Sequence, residues 1–228
     1  MNMRILVVAS HPDDEVLGAG ASIAKWSQSG HEVYTLILGE GVTSRQSNRD
    51  LDSNSDQLAI LKSEMMRANE KLGVKEVFTE NLPDNRFDQI DLLEVVKLVE
   101  KIIDNIKPEL VLTHFKSDLN IDHQITNQAV LTATRPTPQN LVKAVWTFET
   151  LSATEWNYPL SFSPNLFQQV NQDQLECKVK AMQMYRSELR DYPHPRSLEG
   201  IRISAQNWGM KSGVQFAEAF QILRELRV

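Results

Sequence analysis

Short, continuous apolar segments rich in β-branched residues recur along the first two thirds of this chain, with helical patterns in most of the intervals. The segments are 4–9 (RILVVA), 32–38 (EVYTLIL), 76–79 (EVFT), 109–114 (ELVLTH) and 144–148 (AVWTF). Runs that are apolar throughout, rather than at every second residue, fit strands covered on both faces. Between them, 91–106 places Leu92, Val95, Val96, Val99, Ile102, Ile103 and Ile106 on one stripe and stops before Pro108. The segment 57–72 carries Leu58, Leu61, Met65, Ala68 and Leu72, with Gly73 as its stop. Strands and helices in alternation imply right-handed βαβ units around a mostly parallel sheet.

The expected fold is therefore α/β: a Rossmann-like open sheet with a 3-2-1-4-5 core and helices on both faces. After residue 150 the rhythm changes. Residues 155–170 read as a loop with an edge strand at 165–170, and 173–190 and 215–226 read as helices. The expected organisation is one domain over 1–228, with an α/β core of about 1–150 and a C-terminal extension of about 151–228. Two polar stretches, 39–55 and 135–143, are long for connectors and are candidate substrate loops.

Composition removes several function classes. The chain has 228 residues, net charge −6 and 24% charged residues, which is ordinary globular usage. It lacks the basic footprint of a nucleic-acid binder and any apolar run long enough for a membrane span. Its single cysteine, Cys177, cannot form an internal disulfide, which favours a cytoplasmic setting. A homo-oligomer is left open.

Chemistry concentrates at two places. The first apolar run leads directly into Ser10-His11-Pro12-Asp13-Asp14-Glu15, at the carboxyl end of a strand, where open α/β sheets bind ligands. One imidazole and three carboxylates there suit a divalent metal; the competing reading is a helix start capped by Asp13 or Asp14. The second place is Thr113 to His123 (THFKSDLNIDH), after the fourth strand. In a 3-2-1-4-5 sheet, strands 1 and 4 are neighbours, so His11 and His123 converge although 112 positions separate them. Rival motifs are missing. Gly18-Ala19-Gly20 is followed by Ile23 where GxGxxG needs glycine, and no GxxxxGK[ST], GxSxG or HExxH run occurs.

The pair Ala9-Ser10-His11-Pro12-Asp13-Asp14-Glu15 and Asp118-Leu119-Asn120-Ile121-Asp122-His123 resembles the PIG-L/LmbE family of zinc-dependent N-deacetylases. Weaker similarity runs through 64–73 (EMMRANEKLG), Leu82-Pro83-Asp84 and Ala217-Glu218-Ala219-Phe220. The resemblance implies that His11, Asp14 and His123 ligate one Zn²⁺, that Asp13 is the general base, and that Asp122 orients its neighbours. Asn120 stands where many members carry a His thought to assist the oxyanion. It can donate a hydrogen bond but cannot transfer a proton. His114 is either a substitute for that His or a strand-end residue packed beneath the site. Arg135, His194 and Arg196 are candidate substrate contacts; Trp156 is a candidate stacking residue, and Trp26 and Trp146 read as core.

The implied reaction is hydrolysis of the acetamide of an N-acetylglucosamine-type sugar or conjugate. The alternatives are another metal-dependent hydrolase, such as a phosphoesterase, and a non-catalytic sugar-binding domain on the same fold.

Overall fold

The first strand, β1 (Arg4–Ala9), is buried at every residue after its first, as a strand covered on both faces must be. It leads into α1 (Asp14–Gln28), β2 (Glu32–Gly39), α2 (Ser55–Leu72), β3 (Glu76–Leu82), α3 (Leu92–Ile106), β4 (Leu110–His114), α4 (Ile121–Ala133) and β5 (Ala144–Phe148). The chain continues through β6 (Leu166–Val170), α5 (Gln172–Met182), α6 (Leu198–Ser212) and β7 (Phe216–Glu225). The computed structural model describes residues 2–43, 54–137 and 142–227; within the two polar stretches read as candidate substrate loops, 44–53 and 138–141 lie outside the described residues.

Among the described residues, seven strands form one sheet in the order β3-β2-β1-β4-β5-β7-β6. The first five are parallel, in the 3-2-1-4-5 arrangement expected. Alternation along β1 sorts its side chains between two layers. Ile5, Val7 and Ala9 join a core with α1, α2, α5 and α6, whereas Leu6 and Val8 pack with α3 and α4. Among the described residues, no helix is long and apolar enough to cross a membrane.

The C-terminal third differs from expectation. Residues 215–226 read as helix because Phe216, Phe220 and Leu223 recur at helical spacing among good helix formers. They form β7 instead, antiparallel to both β5 and β6. With a period of two, Phe216 and Phe220 meet the core beneath α1, while Ala217 and Ala219 face Trp208. Pairing on both sides outweighs local propensity here. Helix α6 was not anticipated, although Ser197 caps its start by accepting from Gly200 N–H and Gly213 closes it at φ 78°. The helix expected over 173–190 ends at Met182, and the chain turns back over the carboxyl ends of the strands.

Two features fix α1 against this layer. Gly18 is there because a Cβ would lie 2.2 Å from the Phe148 ring, so the Gly18-Ala19-Gly20 run answers to packing. A buried ion pair, Lys178–Glu218 (2.6 Å), clamps the helix. Lys178 donates to Leu17 O (2.7 Å), and Glu218 accepts from Ala21 N–H (3.1 Å) and Ser22 N–H (2.7 Å). Removing one partner strands the other charge in the interior, so Glu218→Ala should lower the unfolding free energy by about 3–5 kcal/mol in urea titration. A loss under ~1 kcal/mol would mean Lys178 finds another partner.

Candidate active site

The turn Ser10-His11-Pro12-Asp13 carries the chain from β1 to α1. Asp13 takes φ 105°, a left-handed conformation that costs a non-glycine residue roughly 1–3 kcal/mol and survives only where its surroundings impose it. They do. Asp13 N–H donates to Glu15 Oε2 (3.1 Å), Asp13 C=O accepts from Leu17 N–H (2.9 Å), and Arg196 Nη1 donates to Asp13 Oδ2 (3.1 Å). Glu15 points away from the crevice. It accepts from Asn69 Nδ2 (2.9 Å) on α2 and from Tyr185 OH (2.6 Å), and burial pushes its carboxyl up to about 7 against the Tyr185 bond. The third acid of the cluster is thus a bracket for the Asp13 turn.

Asp14 is the centre of the arrangement. Its Oδ2 accepts from His11 N–H (2.8 Å) and lies 3.4 Å from His11 Nδ1 and 3.2 Å from His123 Nε2. Each imidazole turns its other nitrogen to an acid. His11 Nε2 is 2.9 Å from Asp122 Oδ2 and 3.3 Å from Asp84 Oδ1. His123 Nδ1 is 3.1 Å from Asp118 Oδ1, near enough for an ion pair though off the hydrogen-bond line. Carboxylates behind the outer nitrogens of two histidines are the usual support of a metal-binding imidazole.

The residues present fit a divalent cation. One donor atom each from His11, Asp14 and His123 lies within 4.8 Å of the others, a two-nitrogen, one-oxygen set that leaves a position open for reactants. The charge balance points the same way. Burial alone would lower His11, but the hydrogen bonds to Asp122 and Asp14 hold it well above its ordinary value. His123, opposed by burial and favoured by Asp14 and Asp118, rises to about 9. The acids attract positive charge that a metal ion would supply. His11, Asp84 and Asp122 form a second group of the same spread, but both Asp122 oxygens already accept backbone N–H groups, from Asn85 (2.7 Å) and Phe87 (2.9 Å). Asp122 anchors His11.

The two alternatives for His114 are separated by its hydrogen bonds. Nε2 accepts from Ser10 N–H (2.9 Å), so the proton is on Nδ1, which donates to Thr150 Oγ1 (3.0 Å). Its ring stacks on His123 at 3.8 Å and 17°, and burial together with the His123 charge keeps its pKa well below the ordinary value. A neutral imidazole with both nitrogens engaged is a packed strut. Asn120 caps α4: Oδ1 accepts from Asp122 N–H (2.8 Å), and Nδ2 donates to Asn85 Oδ1 (3.0 Å). One Nδ2 hydrogen is left for the crevice.

A cavity of about 210 Å³ opens over these groups, bordered by the turns around 11–14, 41–42, 84–85, 120–123, 150–153 and 188–196. Arg196 is on its wall. Arg135 is not: it sits past the far end of α4, bonded to Thr132 O (2.9 Å). Thirteen helical residues, about 20 Å of rise, separate it from the His123 end. The expectation that Arg135 contacts substrate is therefore corrected. His194 is also absent from the wall; its Nδ1 accepts Arg196 N–H (3.1 Å) and its ring meets Trp156 edge-on. Trp26 and Trp146 pack with Phe220 as core residues do. Sequence reading gave no role to Asp84, Asp118, Thr150 or Glu188. Asp84 and Asp118 stand inside the quoted motifs, which was the available signal; nothing local marks Thr150 or Glu188.

Comparison with known proteins agrees with this geometry. A family model described as "PIG-L: GlcNAc-PI de-N-acetylase" matches residues 6–134, from β1 to the end of α4. The chain belongs to the PIG-L family. Among curated PIG-L relatives, the "Uncharacterized deacetylase YaiS" of Escherichia coli is 29% identical over 188 residues, covering 80% of this chain and 90% of that protein. The diacetylchitobiose deacetylase of Thermococcus kodakarensis is 25% identical over 228 residues, 96% of this chain and 83% of that one. In fold, the chain resembles the N,N′-diacetylchitobiose deacetylase of Pyrococcus horikoshii, with TM-score 0.77, 24% identity, and coverage of 97% of this chain and 84% of that one.

Proposed function

We propose that this PIG-L protein is a zinc-dependent N-deacetylase, hydrolysing the acetamide of an N-acetylglucosamine-type sugar or conjugate to free amine and acetate. The observation that carries the reading is the convergence of His11, Asp14 and His123 on one point of the crevice, with Asp13 beside them. In this reading residues 1–228 act as one unit, in the cytoplasm, on a small saccharide.

His11, Asp14 and His123 would hold the metal, with Asp122 and Asp118 fixing the two imidazoles. A divalent cation there supplies Lewis-acid polarisation of the acetamide carbonyl and lowers the pKa of water. Asp13 takes a proton from the attacking water and returns it to the amine nitrogen as the C–N bond breaks. Burial and the neighbouring Asp14 charge push the Asp13 carboxyl up, against Arg196. Asn120, on the wall of the cavity, would donate its second Nδ2 hydrogen to the developing oxyanion.

Elemental analysis and acetate release from N-acetylglucosamine and N,N′-diacetylchitobiose, with phosphate esters assayed in parallel, test the reading. Acetate release that requires zinc supports it; phosphate release without acetate would replace it with the phosphoesterase reading. Asn120 has a sharper test. Asn120→Asp keeps an oxygen for the helix cap but removes the donor. It should reduce kcat by roughly 10- to 1,000-fold while leaving metal content unchanged, at the cost of the Asn85 hydrogen bond. An unaltered kcat would reduce Asn120 to a cap.

A further inference from the structure

Asp13 is held from a part of the chain outside the residues matched by the family model. Arg196 Nη1 donates to Asp13 Oδ2 at 3.1 Å and to Glu188 Oε2 at 3.4 Å. The two carboxylates it joins are 3% and 7% exposed, so they would repel each other across a poorly solvated gap if the guanidinium were removed. The orientation of Arg196 is itself imposed. Its Nε is buried without a hydrogen-bond partner, a cost of about 1–3 kcal/mol, which a guanidinium free to turn toward solvent would avoid. The backbone presents it rigidly, since Arg196 N–H donates to His194 Nδ1, Ser197 N–H donates to His194 O (2.9 Å), and Ser197 caps α6.

We propose that Arg196, shared between Asp13 and Glu188, is a positioning residue that holds the Asp13 carboxylate over the crevice. This rests on the deacetylase reading, in which Asp13 is the base. A substrate contact is the other role open to an arginine on this wall; Nη1 is committed to two acids and Nε is buried, which leaves Nη2 to serve it, and the KM of Arg196→Gln separates the two roles. The segment carrying Glu188 and Arg196 therefore completes the reaction machinery that begins at His11.

A double-mutant cycle on the zinc-loaded, full-length protein, with N,N′-diacetylchitobiose or N-acetylglucosamine as probe, tests the inference. Arg196→Gln should lower kcat by roughly 10- to 100-fold, the scale of losing a supporting contact, with KM within about twofold and metal content unchanged. On an Asp13→Asn background the same substitution should cost nothing further, because residues acting as a unit are not additive. Arg196→Lys should recover part of the loss; it also reads the same cycle if Arg196→Gln folds poorly. A crystal structure of metal-free Arg196→Gln should show the Asp13 carboxylate swung away. A raised KM with intact kcat, a further tenfold loss on the Asp13→Asn background, or an unmoved carboxylate would each overturn the inference while leaving the deacetylase reading intact. Full turnover by Asp13→Asn alone would remove Asp13 as the base and overturn the inference with it, whereas absence of acetate release from the zinc-loaded parent protein would overturn the deacetylase reading.

Discussion

Asp14→Ala is expected to abolish metal binding and, with it, acetate release. The Asp14 carboxylate Oδ2 meets His11 Nδ1, His123 Nε2 and the backbone N–H of His11, with His114 Nε2 at 3.5 Å behind them. Losing an outer-shell partner of a metal site typically weakens affinity 10- to 100-fold. Losing the oxygen on which both imidazoles converge should exceed that, and zinc titration of the purified variant should show affinity at least ~100-fold weaker. The metal-free variant should remain folded, since His11 keeps Asp122 and His123 keeps Asp118. Zinc retained at wild-type affinity would rule Asp14 out as a ligand.

The second large effect concerns Asp13. Asp13→Asn keeps the shape of the side chain and an oxygen for Arg196, but the amide cannot accept a proton. Turnover should fall by at least ~10²-fold, the usual contribution of a general base, with zinc content equal to wild type. The paired measurement matters because Asp13 and Asp14 are adjacent: turnover lost together with zinc would make Asp13 a ligand, and turnover kept would remove it from the reaction.

The half of the molecule that builds the metal pocket was largely legible from the sequence, and the half that steadies it was not. Segments such as 4–9 and 144–148 are buried on both faces, so their burial is written into every residue. His11 and Asp14 follow β1 directly, and neighbouring strands bring them to His123. By contrast, the expectation of a helix at 215–226 failed because Phe216, Phe220 and Leu223 satisfy helical spacing, while the partners that make the segment a strand, β5 and β6, are distant in sequence. Arg196 was visible as a candidate substrate contact just after Pro195, yet its contact with Asp13 spans 183 positions. The roles of Glu15 and Tyr185 likewise exist only in the folded chain, where a hydroxyl 170 positions away meets the carboxylate. Local pattern can mark a residue as polar and constrained; what it faces is decided by topology.

The position of β7 in the sheet has a consequence for biosynthesis. β6 leaves the ribosome before β7, yet its sheet neighbour is β7 alone, and β7 in turn is what joins β6 to β5. Until Phe216–Glu225 has been translated, β6 has no strand to pair with and β5 presents an open edge carrying Val145 and Phe148. An open apolar edge invites pairing with other chains. Nascent chains stalled before residue 216 should therefore be the aggregation-prone and chaperone-dependent species, and the step that closes this side of the sheet, insertion of β7 between β5 and β6, has to follow synthesis of β7 itself.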